Sequence, residues 1–594
     1  MRLESSLQDR IDSYFVDYDT PHTPGCALGL ILDGELVYAR GYGLADLEQG
    51  TPITPDTVFH LASVSKQFTA ACIALLEEAG ELALEDKVGR YIPYLPEAAQ
   101  ALTLKNLVYM TNGLEDFYSV SNLIRGIPED EYFSEENAIE IIRAANWLKF
   151  SPGASWSYSN TGYFLLGKIV ERVSGQSLAQ FAGEHIFSPL GMAHTFFRDD
   201  RRRIIPHRAN GYARAAFFHP GDPTYAEEKR YDHHREPMAL PGAGQAWSTV
   251  NDLFHWDQNF YHNVLGKGDQ RLIERLTTPG HLDDGTPTNY AFGLFVTRAH
   301  GCRVISHEGG APGTNTVIYR VPEKRCSFIC LANTNDFIDA QFKKFGPTYY
   351  EDLAGTISPW AAVAEADEET RKPIFTGVNL EPASDLSPEQ EALRGSYEDA
   401  ATVFVWEVTP TPAGAVIREN FGQKFPLVRL PDAAPDGAVY SADGRNLRCT
   451  FMRDAGVQDG PFTRILVEGA PSCQPGQPAR VFQRFFSTPR SMDELHTYAG
   501  MYRCAGVRAG YRVIPVETGL RLQNLEPRND VLNVVFTPTI PDLFMAHYPP
   551  ALEWYMVHFR RDETGRVASF VFRDEVPGRE NWVFEKCADD GGIP

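Results

Sequence analysis

The sequence predicts a multidomain chain: an α/β (α+β) domain over residues 1–365, a linker at 366–390, and two antiparallel β domains at 391–487 and 488–594. Three observations carry this. The length, 594 residues, exceeds what one hydrophobic core organises, at about 150 residues per domain. Up to residue 365, apolar residues recur with both helical and strand periods. Beyond 390 the helical period nearly stops, and short β-branched and aromatic runs alternate with Gly, Pro, Asp and Asn, the pattern of antiparallel β structure.

The elements follow in order. An N-terminal helix precedes CALGLILDGELVYARGYG, where Asp33-Gly34 between two apolar runs signals a two-residue hairpin turn. Helical patterns follow at 63–80, 104–111, 136–146 and 161–174. In the first, Phe68, Cys72, Leu75, Leu76 and Ala79 fall on one stripe. Strands return near 302–333, with a hairpin around Pro322-Glu323-Lys324, and a last helix is expected at about 338–355. The stretch 366–390 is acidic and proline-bearing, as a linker would be. The β runs TVFVWEV, GAVI, FPLVRL, RVIPVE, LRLQNL, VLNVVF and WYMVHFRR fill the two last domains. LRGSYED near 393 and LHTYAGMYR near 495 resemble one another through an L-x(2,3)-Y pattern, which suggests two similar units with a boundary near 488.

Composition excludes some function classes. The net charge of −23 argues against nucleic acid and anionic membranes, since both need a basic face. No run approaches the roughly 18 apolar residues of a membrane span. The opening MRLESSLQDRIDSYF lacks the apolar core of a secretion signal. Nine scattered cysteines offer neither a disulfide framework nor zinc-ligand spacing. A cytoplasmic, reducing location is therefore expected, with no metal or organic cofactor.

Ser63-x-x-Lys66 opens the helix at 63–80. A serine here is ordinarily an N-cap, with an acid three residues later. A lysine in the first turn sits at the unfavourable, positive end of the helix dipole. Alone, the pair reads equally well as a cap and a surface cation. Two further stretches change that. Tyr158-Ser159-Asn160 precedes an amphipathic helix, where Asn160 could serve simply as its cap. His307-Glu308-Gly309-Gly310 follows a short strand and could be no more than a glycine turn; it lacks the second His of a zinc-protease helix.

In this order and spacing, S-x-x-K, Y-S-N and H-x-G resemble the serine β-lactamase and penicillin-binding-protein superfamily, in particular its class C-like branch. LKNLVYMTNGL and GAGQAWSTVNDLFHW resemble its linking segments, with Met110-Thr111-Asn112-Gly113 where the usual form is His-Thr-Ser-Gly. The resemblance implies a β-lactamase/transpeptidase-like catalytic domain and an acyl-enzyme on Ser63. Lys66 would be the general base, its neutral form favoured by burial and by the helix end. Tyr158 would share the proton and pass it to the leaving group. Asn160 would orient Lys66 or the substrate amide. The Ser63 and Gly310 N–H groups would form the oxyanion hole. Gly309 and Gly310 would leave room for substrate, and His307 would order this wall or contact substrate.

A domain of this kind followed by two β domains resembles the bacterial D-aminopeptidase (D-stereospecific aminopeptidase) group, whose C-terminal domains are lipocalin-like barrels. That implies release of N-terminal D-residues from peptides, amides or esters. The group's active-site loop would correspond to TPTIPDLFMAHYPPAL, 537–552, capping the site. This chain carries extra length around 201–240 and 430–480. Carboxylesterase and D-peptide endopeptidase or carboxypeptidase activities on the same scaffold are the alternatives, and a catalytically silent binding scaffold is the alternative of another class. The expected partner is a small peptide, amide or ester, with no nucleic acid or membrane; a homodimer is compatible with the sequence.

Overall fold

A computed structural model describes residues 5–121, 132–214, 231–299 apart from 235 and 237, 302–334, and most of the elements within 386–587. The helix expected at 338–355, and the linker up to residue 385, lie outside the described residues.

The N-terminal unit is built on a six-stranded antiparallel sheet. Its strands are β1 (Cys26–Leu32), β2 (Glu35–Tyr42), β3 (Phe295–Ala299), β4 (Cys302–Ala311), β5 (Thr314–Val321) and β6 (Cys326–Ala332), in the order β3-β4-β5-β6-β1-β2. The β1–β2 turn has Asp33 at φ 51° and Gly34 at φ 84°, the positive pair a two-residue hairpin needs. Pro322–Lys324 forms a single 3-10 turn between β5 and β6. Sequence-distant β1 and β6 pair from Cys26↔Ala332 to Leu32↔Cys326, which brings the first described strand of this unit beside its last described one.

Helices cover both faces. On one, α1 (Ser5–Phe15) places Ile11 and Phe15 in a core with Leu28, Leu30, Val317 and Phe328. On the other face α4 (Val250–Asn259) packs against β1 and β6, and α2 (Lys66–Ala79) and α3 (Asn160–Ser174), which carry Lys66 and Asn160, pack on one another. Helix α4 is pinned to the sheet by a buried pair, Asp257 Oδ1 accepting from Arg320 Nε at 2.6 Å and from Ser327 Oγ at 2.8 Å.

Helix α2 departs from the one-stripe expectation. Every residue from Lys66 to Leu76 is buried, and Ala79 is exposed. A helix enclosed on all sides needs partners for its polar residues. Gln67 Nε2 donates to Val64 O (3.0 Å) while Gln67 Oε1 accepts from Trp256 Nε1 (2.5 Å); Thr69 Oγ1 donates to Gly242 O (2.8 Å). The other expected helices appear at Leu104–Val108 and Glu135–Ala144, each opened by a capping box.

The C-terminal region forms two closed eight-stranded antiparallel barrels, one running from Gly395–Asp399 to Arg480–Phe485, the other from Gly500–Cys504 to Val583–Lys586. A short capped helix precedes each, at Pro388–Glu391 and Met492–His496. The two units do resemble one another, in a register different from the one the L-x(2,3)-Y pattern suggests. Tyr397 donates to Leu393 O and Tyr502 to Tyr498 O, each four residues back, so Tyr397 corresponds to Tyr502 rather than to Tyr498.

Where it is described, the stretch 537–552 is strand rather than loop; residues 541 and 549–552 lie outside the described residues. Val535–Ile540 and Leu543–Tyr548 are paired barrel strands, joined by a tight turn with Asp542 at φ 64°. Leu543 and Phe544 are buried in the barrel, with Phe544 packed edge-on against Tyr498 and Phe559. Pro538 and the bulky Leu543, Phe544, Met545 and Tyr548, which suggested a cap, belong to strands; Pro541, Pro549 and Pro550 lie outside the described residues. No helix among the described residues is long and apolar enough to cross a membrane.

Candidate active site

Ser63 lies in a one-turn 3-10 helix, Ala62–Ser65, which runs straight into α2 at Lys66. In a 3-10 turn residues i and i+3 eclipse, so Lys66 stands directly over Ser63, its Nζ 3.0 Å from Ser63 Oγ. Ala62, the residue before Ser63, has φ 45°. A non-glycine residue in that region costs of order 1–3 kcal/mol and persists only where its surroundings enforce it. Here they do: Leu61 O accepts from Thr316 Oγ1 on β5 at 2.8 Å, and Ser65 Oγ accepts from Ala246 N at 2.9 Å.

Lys66 is fully buried, and burial is the main cause that brings its pKa down to about 7; the Asp116 carboxylate acts in the opposite direction. Its other two partners are Asn160 Oδ1 (2.8 Å) and Ala243 O (2.7 Å). Both are carbonyl oxygens and can only accept. A neutral amine has two N–H groups and one lone pair. The two carbonyls take the N–H groups, which leaves the lone pair for the only partner able to donate, the Ser63 hydroxyl.

The Y-S-N stretch divides its work differently from the simplest reading. Ser159, not Asn160, is the N-cap of α3, its Oγ accepting from Gly162 N at 3.0 Å. Asn160 is thereby released to face Lys66. Its backbone N–H donates to Asp116 Oδ2 at 2.7 Å, which fixes the start of the helix. Tyr158 is partly buried and hydrogen-bonded to Ser63, and Lys66 Nζ lies 4.8 Å from its ring centroid. Burial raises the Tyr158 pKa, with only a partial offset from the Ser63 hydrogen bond. Near neutral pH the phenol therefore keeps its proton. Of the two groups beside Ser63, the amine can act as base and the phenol can relay a proton.

On the opposite wall, β4 carries His307, Gly309 and Gly310. His307 is buried. Its Nδ1 donates to Glu308 O at 2.6 Å, so Nε2 is left to accept from the Tyr290 hydroxyl at 3.0 Å. Burial, then the Lys66 charge, lowers its pKa to about 3, so the ring is neutral. It stands 6.2 Å from the Tyr158 ring. Of its two expected roles, this geometry fits ordering the wall. Gly309 also differs from expectation: a Cβ there would come within 2.3 Å of Leu61 O and of Thr316 Oγ1, so the glycine serves the close approach of β4 to the nucleophile turn. At Gly310 a Cβ would meet nothing within 4 Å, and the strand is open there.

All seven residues singled out from the sequence thus fall on the nucleophile turn, the α3 start and β4. The sequence reading missed Asp116, Thr316 and the Ala243 carbonyl. GAGQAWSTV signalled a linking segment; no side-chain pattern could show that its backbone holds Lys66.

Residues 11–345, more than half of the chain, match the sequence profile of the beta-lactamase family. The chain belongs to the beta-lactamase family. Within it, the protein is 32% identical over 311 residues to a penicillin-binding protein of Bacillus subtilis (strain 168), a match covering 51% of this chain and 66% of that one. It is 26% identical over 396 residues to the D-aminopeptidase of Gluconobacter oxydans (strain 621H), covering 66% of this chain and 67% of the relative, and 28% identical over 311 residues to that of Brucella anthropi, covering 52% and 56%. The chain thus spans between about half and two thirds of the length of these relatives. An octameric penicillin-binding protein homologue from Pyrococcus abyssi shares the fold of this beta-lactamase family member at 22% identity and a TM-score of 0.50, covering 80% of this chain and 99% of that one.

Proposed function

We propose that this protein is a serine hydrolase that acts through an acyl-enzyme on Ser63 and releases N-terminal D-amino acids from peptides, amides or esters. The observation that carries the chemistry is the Lys66 amine, held by two acceptor-only carbonyls with its pKa near 7 and 3.0 Å from Ser63 Oγ. In the first step Ser63 gives its proton to Lys66 Nζ while Oγ bonds to the substrate carbonyl carbon. The carbonyl electrons move to an oxyanion stabilised by the N–H groups of Ser63 and Gly310. The C–N or C–O bond then breaks as Tyr158 protonates the leaving group, and Lys66 returns its proton to Tyr158. Water enters by the same route in reverse roles, and the acid is released.

The preference for D-residues rests on the relatives named D-aminopeptidase. The identity to a penicillin-binding protein supports a second reading, a D-peptide carboxypeptidase or endopeptidase. A panel of D- and L-aminoacyl p-nitroanilides, N-acetylated D-aminoacyl p-nitroanilides and p-nitrophenyl esters separates them. The expected result is kcat/KM at least about tenfold higher for D- than for L-aminoacyl anilides, and loss on N-acetylation. Preference for L-residues, or turnover of esters alone, would refute the aminopeptidase reading. Fluorophosphonate labelling should fall on the Ser63 peptide and vanish in Ser63→Ala; labelling elsewhere would refute the acyl-enzyme itself.

A further inference from the structure

Strand β4 outruns its neighbour. Its last residue paired with β3 is Ser306, opposite Phe295, where β3 begins. Residues 307–311 therefore have β5 on one side and, among the described residues, no strand on the other. Ala311 and Thr314 face each other across the two-residue turn Pro312-Gly313, with Gly313 at φ 65°. The residues flanking such a turn are hydrogen-bonded to each other. From there the direction of the backbone groups alternates along the strand. Residues 307, 309 and 311 thus turn their N–H and C=O groups to β5, and Glu308 and Gly310 turn theirs to the open edge. Both Glu308 and Gly310 are exposed.

The side chains alternate as well. His307 stands beside Tyr158, and a Cβ on Gly309 would meet Leu61 O, so these two belong to the face of the nucleophile turn. Glu308 belongs to the other face, with Gly310. No hydrogen bond or ion pair engages the Glu308 carboxylate among the described residues. Crowding by neighbouring atoms raises its pKa, and no cation offsets that.

An acyl residue whose carbonyl oxygen accepts from Gly310 N–H can donate its own N–H to Gly310 O, the reciprocal pair of an antiparallel ladder. The rest of a peptide substrate is then counted off along β4. The first residue beyond the scissile bond falls opposite Gly309 and the second opposite Glu308. The side chain of that second residue shares a face with Glu308, at about 4.5–5.5 Å between Cβ atoms. The substrate's amino end runs the other way, past Ala311.

We propose that Glu308 is a specificity residue for the leaving group, selecting a cationic side chain at the second residue beyond the scissile bond and rejecting a carboxylate there. Opposite charges facing each other across a strand pair attract, and like charges repel. The proposal rests on the acyl-enzyme reading of Ser63 and Gly310 and adds a substrate class to it: short peptides with lysine or arginine third from the amino end. The same carboxylate disfavours the departing residue of a carboxypeptidase, whose free carboxylate would lie next to this position.

The test compares kcat/KM for D-Ala-Gly-Lys amide and D-Ala-Gly-Glu amide at pH 8, where an unpaired carboxyl group is ionised. D-alanine p-nitroanilide, which has no residue opposite Glu308, is the reference substrate. The lysine peptide should be preferred by about threefold or more, the preference should vanish in Glu308→Gln, and it should invert in Glu308→Lys. Circular dichroism establishes that both variants, altered at an exposed side chain, are folded. A smaller wild-type preference, a preference unmoved in either variant, or cleavage of the anilide but of neither peptide would overturn the role of Glu308 and leave the hydrolase reading standing. Loss of anilide turnover in both folded variants would overturn it as well, making Glu308 a structural part of the site. No Ser63-dependent turnover of any of the three substrates by the wild type would overturn both readings.

Discussion

Replacing Asn160 by Asp tests the proton chemistry without changing shape. The acceptor oxygen stays 2.8 Å from Lys66 Nζ but becomes part of a carboxylate. At an effective dielectric of about 20, opposite charges at that distance attract by about 6 kcal/mol, an upper bound. An opposite charge this close ordinarily moves a pKa by about 1–3 pH units. The sign is fixed: a carboxylate favours the charged amine, so the Lys66 pKa rises from about 7 toward the ordinary lysine value. The wild-type amine is about half neutral at pH 7. In Asn160→Asp that fraction falls about 5- to 500-fold, and kcat/KM at pH 7 should fall with it. The loss should be recovered as pH rises, because the neutral amine is still attainable. The assay is the pH profile of kcat/KM on the best anilide of the panel, between pH 5.5 and pH 10. The acid limb should move from near 7 to between 8 and 10. A loss of the same size at every pH would mean that Asn160 positions substrate rather than setting the state of Lys66. An unmoved limb would mean that Lys66 is not the base.

Three further outcomes follow from the geometry. Lys66→Ala and Tyr158→Phe should each lower kcat by about 10² or more, and the double variant should cost little beyond the worse single, because the two groups handle one proton; additive losses in single-turnover assays would count against that. Gly309→Ala should lower kcat/KM at least about tenfold, since the new methyl would overlap Leu61 O and push β4 from the nucleophile turn; an active variant with unchanged melting would contradict the tight approach. Phe544→Ala should destabilise the second barrel by about 3–5 kcal/mol, read by chemical denaturation of the full chain, whereas an unaffected transition would place Phe544 outside the barrel core.

Much of the fold was legible because its signals are local. Asp33-Gly34 dictates its turn from two residues. The alternating β runs after 390 needed no tertiary information to read as antiparallel strands, and closure into barrels follows from pairing the first and last of them, as Ser396↔Phe485 and Tyr502↔Lys586 do. What failed was the reading of 537–548 as part of a loop. Prolines and clustered apolar residues mark a restrained loop when counted along the chain, but Pro538 sits at a register shift between strands, where a missing N–H is tolerated. The stripe on α2 failed for a related reason. Periodicity assumes one solvent face, and this helix has none until Glu77.

The site itself shows why motif residues were legible and their states were not. Ser63, Lys66, Tyr158 and Asn160 are identifiable by type and order, and the proposed mechanism gives them the parts of nucleophile, base, relay and acceptor. Whether Lys66 is a base at all depends on groups with no sequence signature. Had its third partner been a carboxylate instead of the Ala243 carbonyl, the amine would stay charged and Ser63 inert. The enclosing core removes water, two carbonyl oxygens accept without adding a full charge, and Asp116 is engaged by the backbone N–H groups of Tyr118, Ser119 and Asn160. Those hydrogen bonds draw on the one nearby negative charge that would otherwise hold the proton on Lys66. The lysine at the unfavourable end of a helix is therefore consistent with its surroundings: the helix start disfavours its charge, the core disfavours it further, and of its three hydrogen-bond partners among the described residues the one able to donate is the Ser63 hydroxyl, which the proposed mechanism has it activate.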